Sequence, residues 1–362
     1  MAEQGILPDR MIAALARAGG ILPAYDFAPD QIQPASLDLR LGDTAYRVRA
    51  SFLPGHTTVA ERIDQLKLHE IALGDGAVLE TGCVYIVPLL ESLALPADTA
   101  AATNPKSSTG RLDVFTRVIT DRARGFDRIE AGYHGPLYAE ISPKTFPVLV
   151  REGSRLSQLR LRRGHAELSA DELAALHARE RLVDAEDADF EGGISVSVDL
   201  AGSGANALIG YRAKRHTGVI DVERRAGYDY TDFWEPMHAR RDGTLILDPD
   251  EFYILASKEA VQVPPDYAAE MVPFDPLVGE FRVHYAGFFD PGFGHEAGQG
   301  RGARAVLEVR SREVPFVLED GQTIGRLMFE RLTDTPPQVY GQALGSNYQR
   351  QGLKLSKHFR LP

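Results

Sequence analysis

Residues 75–160 of this 362-residue chain recur at a constant offset of 168 positions. Leu79 matches Leu247, Tyr85 matches Tyr253, Ile86 matches Ile254 and Glu91 matches Glu259. Pro96/Pro264, Asp98/Asp266, Pro105/Pro273, Glu140/Glu308, Pro147/Pro315, Gly153/Gly321 and Leu159/Leu327 continue in the same register. A fixed-offset repeat requires two copies of one fold, so the positions where the copies differ carry the most information. The largest divergence is Lys106-Ser107-Ser108-Thr109-Gly110-Arg111, whose counterpart is Phe274-Asp275-Pro276-Leu277-Val278-Gly279. One copy has the residues to hold an anion and the other does not.

Two domains suit this length, and each half can bury its own core. A content of 44% hydrophobic and 25% charged residues is that of an ordinary globular protein. No segment approaches the roughly 20 apolar residues of a membrane helix, and the start lacks a secretory pattern. The single cysteine, Cys83, allows no internal disulfide and no Cys-rich zinc site, which fits a cytoplasmic protein. A net charge of −11 argues against a nucleic-acid groove, but a single nucleotide needs only a local cluster of donors.

Residues 6–18 read as a short helix with Asp9 in its first turn and Gly19-Gly20 at its end. Beyond it, short apolar or alternating runs such as 36–41, 84–88 and 138–141 are separated by Gly, Pro and Asp turns. That is the signature of many short strands. One interruption, 169–180, opens with a Ser169–Glu172 capping box and carries Leu173 and Leu176 on one stripe. After an acidic run, Ser197-Val-Asp-Leu200 echoes Ser36-Leu-Asp-Leu39. These signals divide the chain into a first domain at 1–165, a linker helix and acidic linker at 166–192, a degenerate repeat domain at 193–335 and a C-terminal arm at 336–362.

Lys106 and Arg111 supply positive charge, Ser107 and Ser108 supply hydroxyls, and Gly110 lets the backbone turn its N–H groups inward. Such a loop can cradle phosphate, though a solvated turn could have the same composition. Glu140 falls in an apolar run, so its carboxyl is expected to be buried. It would serve either as a general acid/base or as half of a buried ion pair with an arginine such as Arg111. In the tail, Tyr348 could stack on a ligand while Gln351 or Lys354 reaches phosphate. His165-Ala-Glu167 superficially matches a zinc-deaminase element, but one cysteine cannot complete that site.

Taken together, these segments resemble the dCTP deaminases of the trimeric dUTPase superfamily. Leu7-Pro-Asp-Arg-Met-Ile12 is similar to the family's start, and Pro34–Gly42 to its early strand motif. Lys106–Arg111 resembles its Arg-Ser-Ser-x-x-Arg loop, and Arg128-Ile-Glu-Ala-Gly-Tyr-His-Gly135 its Arg-Ile-Asp-Pro-Gly turn. Glu140 stands where the family has its catalytic glutamate, and Tyr348–Gln351 resembles its C-terminal arm. Lys106 and Glu130 depart from the family's Arg and Asp, and 121–127 reads as an insertion beside the base pocket.

The resemblance implies a mainly β chain of two tandem distorted jelly-roll domains and a homotrimer with shared sites. It implies that Lys106, Ser107, Ser108 and Arg111 bind phosphate, with Ser107 and Arg111 also placing the reactive water. The strand 117–120, with Val118 and Thr120, would read the base through its backbone. Arg128 and Glu130 would meet the rest of the nucleotide, Glu130 at the deoxyribose. The expected reaction is zinc-independent deamination of dCTP to dUTP and ammonia, with Mg2+ carried by the triphosphate and dTTP as a feedback ligand. Alternatives are a bifunctional deaminase/dUTP pyrophosphatase, a dUTPase, or a nucleotide-binding scaffold.

Overall fold

The computed structural model describes residues 4–186, 188–202, 207–273, 281–283, 287–295, 302–311, 313–337 and 352–360. The chain is mainly β and divides into two compact units. Unit one comprises Met1–Ala166 with His216–Gly227, and unit two comprises Glu167–Arg215 with Tyr228–Pro362.

Among the described residues, unit one contains two six-stranded sheets. The first runs Arg128–Ile129, Thr99–Pro105, Ser157–Arg163, Ser36–Leu39, Ile32–Gln33, with Gly5–Ile6 also on Ser157–Arg163. The second runs Val114–Thr120, His134–Pro143, Val84–Ala94, Thr44–Val48, Lys67–Ala72, with Ile21–Pro23 on Val84–Ala94. All these pairings are antiparallel. Leu37, Leu39, Leu159 and Leu161 of the first sheet share a core with Leu93, Val118 and Leu137 of the second. The alternating inward residues of short strands thus bury one face of each sheet.

The repeat is carried in the strand pairing. Val148 faces Leu79 as Phe316 faces Leu247, and Leu159 faces Thr103 as Leu327 faces Met271. Glu140 faces Ile86 as Glu308 faces Ile254. Tyr85 Oη accepts from Glu80 N and Tyr253 Oη from Asp248 N, each at 3.0 Å. Gly153 and Gly321 both adopt positive φ (83° and 79°), which an L side chain resists, and donate to Leu41 O and Val198 O.

The Ser36/Ser197 echo, by contrast, is out of register. Glu91 Oε2 accepts from Arg40 N and Glu259 Oε2 from Ser197 N, both at 2.8 Å, so Ser197 is the counterpart of Arg40. Hydrogen-bond partners decide the equivalence, not the matching letters. Around Ser197 and Glu259, also lined by Asp189, Thr323 and Arg326, lies a cavity of about 330 Å³.

The helix Asp9–Arg17 lies within the span read from sequence and buries Ile12. Ala170–Glu180 forms with both Ser169–Glu172 capping bonds and buries Leu173 and Leu176. Val59–Leu66 is a helix that the strand-rich reading passed over, although Thr58 and Glu61 make a complete capping box. A second difference concerns 216–227. Ile220–Asp221 pairs in parallel with Val148–Val150, Arg151 holds Asp221 through two bonds of 2.8 and 3.0 Å, and Ser154 donates to Glu223 at 2.8 Å. These bonds tie a segment from the second half of the sequence into unit one.

Candidate active site

The 106–111 segment is a single helical turn, Ser107–Gly110, rather than an open loop. Thr109 N and Gly110 N both donate to Lys106 O, and Arg111 N donates to Ser107 O. The expectation that Gly110 turns N–H groups toward a ligand is therefore corrected, because these donors close the turn itself. Ser107 is half-buried, while Ser108, Thr109 and Arg111 are buried. The Lys106 ammonium is paired with buried Asp38, which also lies 3.5 Å from Arg155. Arg155 in turn holds Asp30 at 3.0 Å. This is a charge cluster already compensated from within.

Glu140 lies on His134–Pro143 and is 1% exposed. Its strand register places it opposite Arg117. Arg117 donates to Glu140 Oε1 from Nη2 at 2.5 Å and from Nε at 3.2 Å. The arginine that meets Glu140 is thus Arg117, the cross-strand neighbour, and not Arg111. Arg117 Nη2 also donates to Ser51 Oγ at 3.0 Å. Its guanidinium lies 3.4 Å from the Phe126 ring centroid and 4.6 Å from that of Phe115, stacking that fixes the plane of the fork. Glu140 Oε2 is buried and accepts no hydrogen bond among the described residues. A bare carboxylate oxygen in a dry site is costly, and such exceptions concentrate where chemistry is done.

Val118 places its side chain in the core. Its main chain is engaged by Asp127: Val118 N donates to Asp127 Oδ1 at 2.8 Å, and Asp127 N donates to Val118 O at 3.0 Å. Thr103 Oγ1 adds a bond to the same Oδ1 at 2.7 Å. Burial pushes the Asp127 carboxyl up to about 6, against the lowering by Val118, Thr103 and the charge of Arg117, while Glu140 adds to the rise. Asp127 is a site residue that sequence reasoning did not single out. Its only signal was membership of the 121–127 insertion.

Thr120 is buried, and its carbonyl accepts from Ala123 N at 3.3 Å. Arg128 and Glu130 are exposed, with Arg128 paired to Ala102 at a sheet edge. Tyr133, half-buried, donates to Pro136 O and accepts from Asp121 N; burial pushes its phenol up to about 12. Unit one thus gathers Glu140, Arg117 and Val118 on neighbouring strands, with Asp127 in the bend that returns to Val118. Tyr348, Gln351 and the loop counterpart 274–279 lie outside the described residues. The described end of the tail belongs to unit two, where Phe359–Arg360 pairs with Tyr228–Asp229. Among the described residues, no group of three or more His, Cys, Asp or Glu is placed to hold a metal ion.

Both halves of the chain match described families. Residues 3–165 match the N-terminal domain of 2'-deoxycytidine 5'-triphosphate deaminase, and residues 169–359 match its C-terminal domain. The chain is similar to the crystal structure of 2'-deoxycytidine 5'-triphosphate deaminase from Agrobacterium tumefaciens. The two are 64% identical with a TM-score of 0.88, over 91% of this chain and 99% of that one. Two proteins named "dCTP deaminase, dUMP-forming" are similar to less than half of the chain. That of Rhodococcus opacus is 36% identical over 162 residues, covering 44% of this chain and 80% of the relative. That of Corynebacterium kroppenstedtii is 34% identical over 160 residues, covering 43% and 80%.

These matches define a hydrolytic deaminase. More narrowly, the chain belongs to the dCTP deaminase family.

Proposed function

We propose that this chain converts dCTP to dUTP and ammonia by zinc-independent attack of water at cytosine C4, with Glu140 as the proton carrier. The observation that carries this reading is the division of the Glu140 carboxylate. Oε1 is fixed by Arg117, and Oε2 is buried without a partner among the described residues. Oε2 takes a proton from the water as its oxygen bonds to C4, and that proton passes to N3. The water's second proton leaves with N4, so the C4–N4 bond breaks and dCTP plus water gives dUTP plus ammonia. Ser107 and Arg111 would hold the water, and Lys106 and Ser108 the phosphates, once nucleotide oxygens compete with Asp38 for Lys106. Val118 and Thr120 would read the base, and Arg128 and Glu130 would meet the sugar side. Magnesium would arrive with the triphosphate as part of the substrate, away from C4.

The finer architecture is proposed with the same reading: two distorted jelly-roll domains per chain, assembled as a cytoplasmic homotrimer. In that assembly Tyr348 and Gln351 close a site, and dTTP acts as a feedback ligand. The names of the half-chain relatives favour a second reading, in which dUTP is hydrolysed further to dUMP and pyrophosphate. Incubation with dCTP and Mg2+, following ammonia and pyrophosphate separately, distinguishes the two. Ammonia alone is the expected result, and both products together would establish the bifunctional reaction. Pyrophosphate from dUTP with no ammonia from dCTP would overturn the proposal, and the absence of any product would leave a nucleotide-binding scaffold.

Glu308, the buried repeat counterpart of Glu140, sits opposite Ile254 in unit two. Glu308→Gln is expected to change the denaturation midpoint while the folded enzyme keeps wild-type ammonia release. A comparable loss of turnover at unchanged folding would make unit two catalytic.

A further inference from the structure

Among the described residues, the strand Val114–Thr120 ends its sheet, pairing with His134–Pro143 along one edge. On the other edge Val118 offers an adjacent donor and acceptor, its own N–H and C=O. A cytosine can meet that pair with its N4 amino group as donor and its O2 as acceptor, which leaves N3 open to the proton. Asp127 already presents the same complement: its main-chain N–H meets Val118 O, and its Oδ1 meets Val118 N–H.

We propose that Asp127 is an internal competitor for the base, occupying the main-chain pair of Val118 until dCTP displaces it, and so setting the affinity for nucleotide. This rests on the reading of 117–120 as the base-reading strand.

Three observations make the contact one that can be given up. Asp127 holds φ at 61°, a left-handed conformation that an L residue adopts at a cost. Burial raises its pKa to about 6, so the ionised carboxyl is less favoured in place than in water. The rest of the insertion is secured elsewhere: Asp121 Oδ1 accepts from Val59 N at 2.7 Å, Arg122 N donates to Thr57 O, and Gly55 N donates to Ala123 O. Asp127 can therefore swing out while 121–123 stays anchored. When it does, Thr103 loses the acceptor for its hydroxyl, Asp127 Oδ1, and its main-chain N–H bond of 3.0 Å to Asp127 O is strained or given up.

The apparent affinity of a site that must open is its intrinsic affinity reduced by the fraction already open. Asp127→Ala removes the carboxylate and is expected to lower KM and Kd for dCTP by about three- to tenfold with kcat little changed. Thr103→Val, which removes one donor to the same carboxylate, is expected to act in the same direction to a smaller extent. KM unchanged or raised in folded Asp127→Ala would overturn the proposal. That result would make Asp127 a support of the pocket rather than its occupant. If Asp127→Ala does not fold, Thr103→Val decides in the same way. Ammonia release by the wild-type protein separates the two levels. Its absence overturns the deaminase reading, whereas wild-type turnover with no fall in KM overturns only the role of Asp127.

Discussion

Glu140→Gln is expected to lower ammonia release from dCTP by about a thousandfold, within the range a positioned general acid–base supplies. Over the same change the Kd for dCTP should move by less than about threefold, because a proton-transfer group acts in the transition state and not in ground-state binding. The substitution is close to isosteric. Its carbonyl can still accept from Arg117 Nε and Nη2, so the guanidinium keeps its contacts with Phe115 and Phe126. What is lost is the capacity of Oε2 to take a proton. Stability is expected to stay near wild type, since the lost charge opposite Arg117 is offset by no longer burying as an anion an oxygen that has no partner among the described residues. A variant that is as stable as wild type and binds nucleotide but does not turn it over is what a catalytic carboxylate predicts. Retention of more than about a tenth of the wild-type rate by the folded variant would remove Glu140 from the mechanism. Ammonia release, equilibrium dCTP binding and denaturation together give all three readings.

The parts of this site that could be read from the chain are those encoded locally. The capping box at Ser169–Glu172 and the apolar run holding Glu140 each depend on a few consecutive residues, and both occur as expected. The 168-residue repeat was equally legible, because two copies of one ladder keep the same spacing, as Glu140/Ile86 and Glu308/Ile254 do. The identity of the Glu140 partner was not legible. Arg111 and Arg117 have the same chemistry, and only the register of Val114–Thr120 against His134–Pro143 selects Arg117. Asp127 was hidden for a related reason, since its role depends on a hairpin that brings it back to Val118 across nine positions. The helix at Val59–Leu66 could have been found, because Thr58-Val-Ala-Glu61 carries its signal. The return of 216–227 to unit one depends on long-range pairing with Val148–Val150 that no local pattern announces.

Arg117→Met tests the other half of the carboxylate's division of labour, and its effects should appear in both rate and stability. Without the two-donor fork, Oε1 loses its only hydrogen bonds among the described residues, and the carboxylate no longer has a fixed orientation toward C4. We expect kcat to fall about a hundredfold, the cost of misplacing a catalytic group by roughly 1 Å. KM should change far less, because phosphate and sugar contacts lie on other segments. Arg117→Lys keeps the charge but not the planar fork stacked on Phe126, so an intermediate rate is expected. Stability should fall by about 2–3 kcal/mol, toward the low end for breaking a buried pair because a quarter of the arginine side chain is exposed. The double variant with Glu140→Gln separates these causes. If the loss comes from stranding a buried charge, Arg117→Met should cost much less once residue 140 is neutral, giving a coupling of about 1–3 kcal/mol in a double-mutant cycle. Additive losses would mean that Arg117 acts through its packing on Phe115 and Phe126 and its bond to Ser51. Its pairing with Glu140 would then be incidental to both folding and deamination.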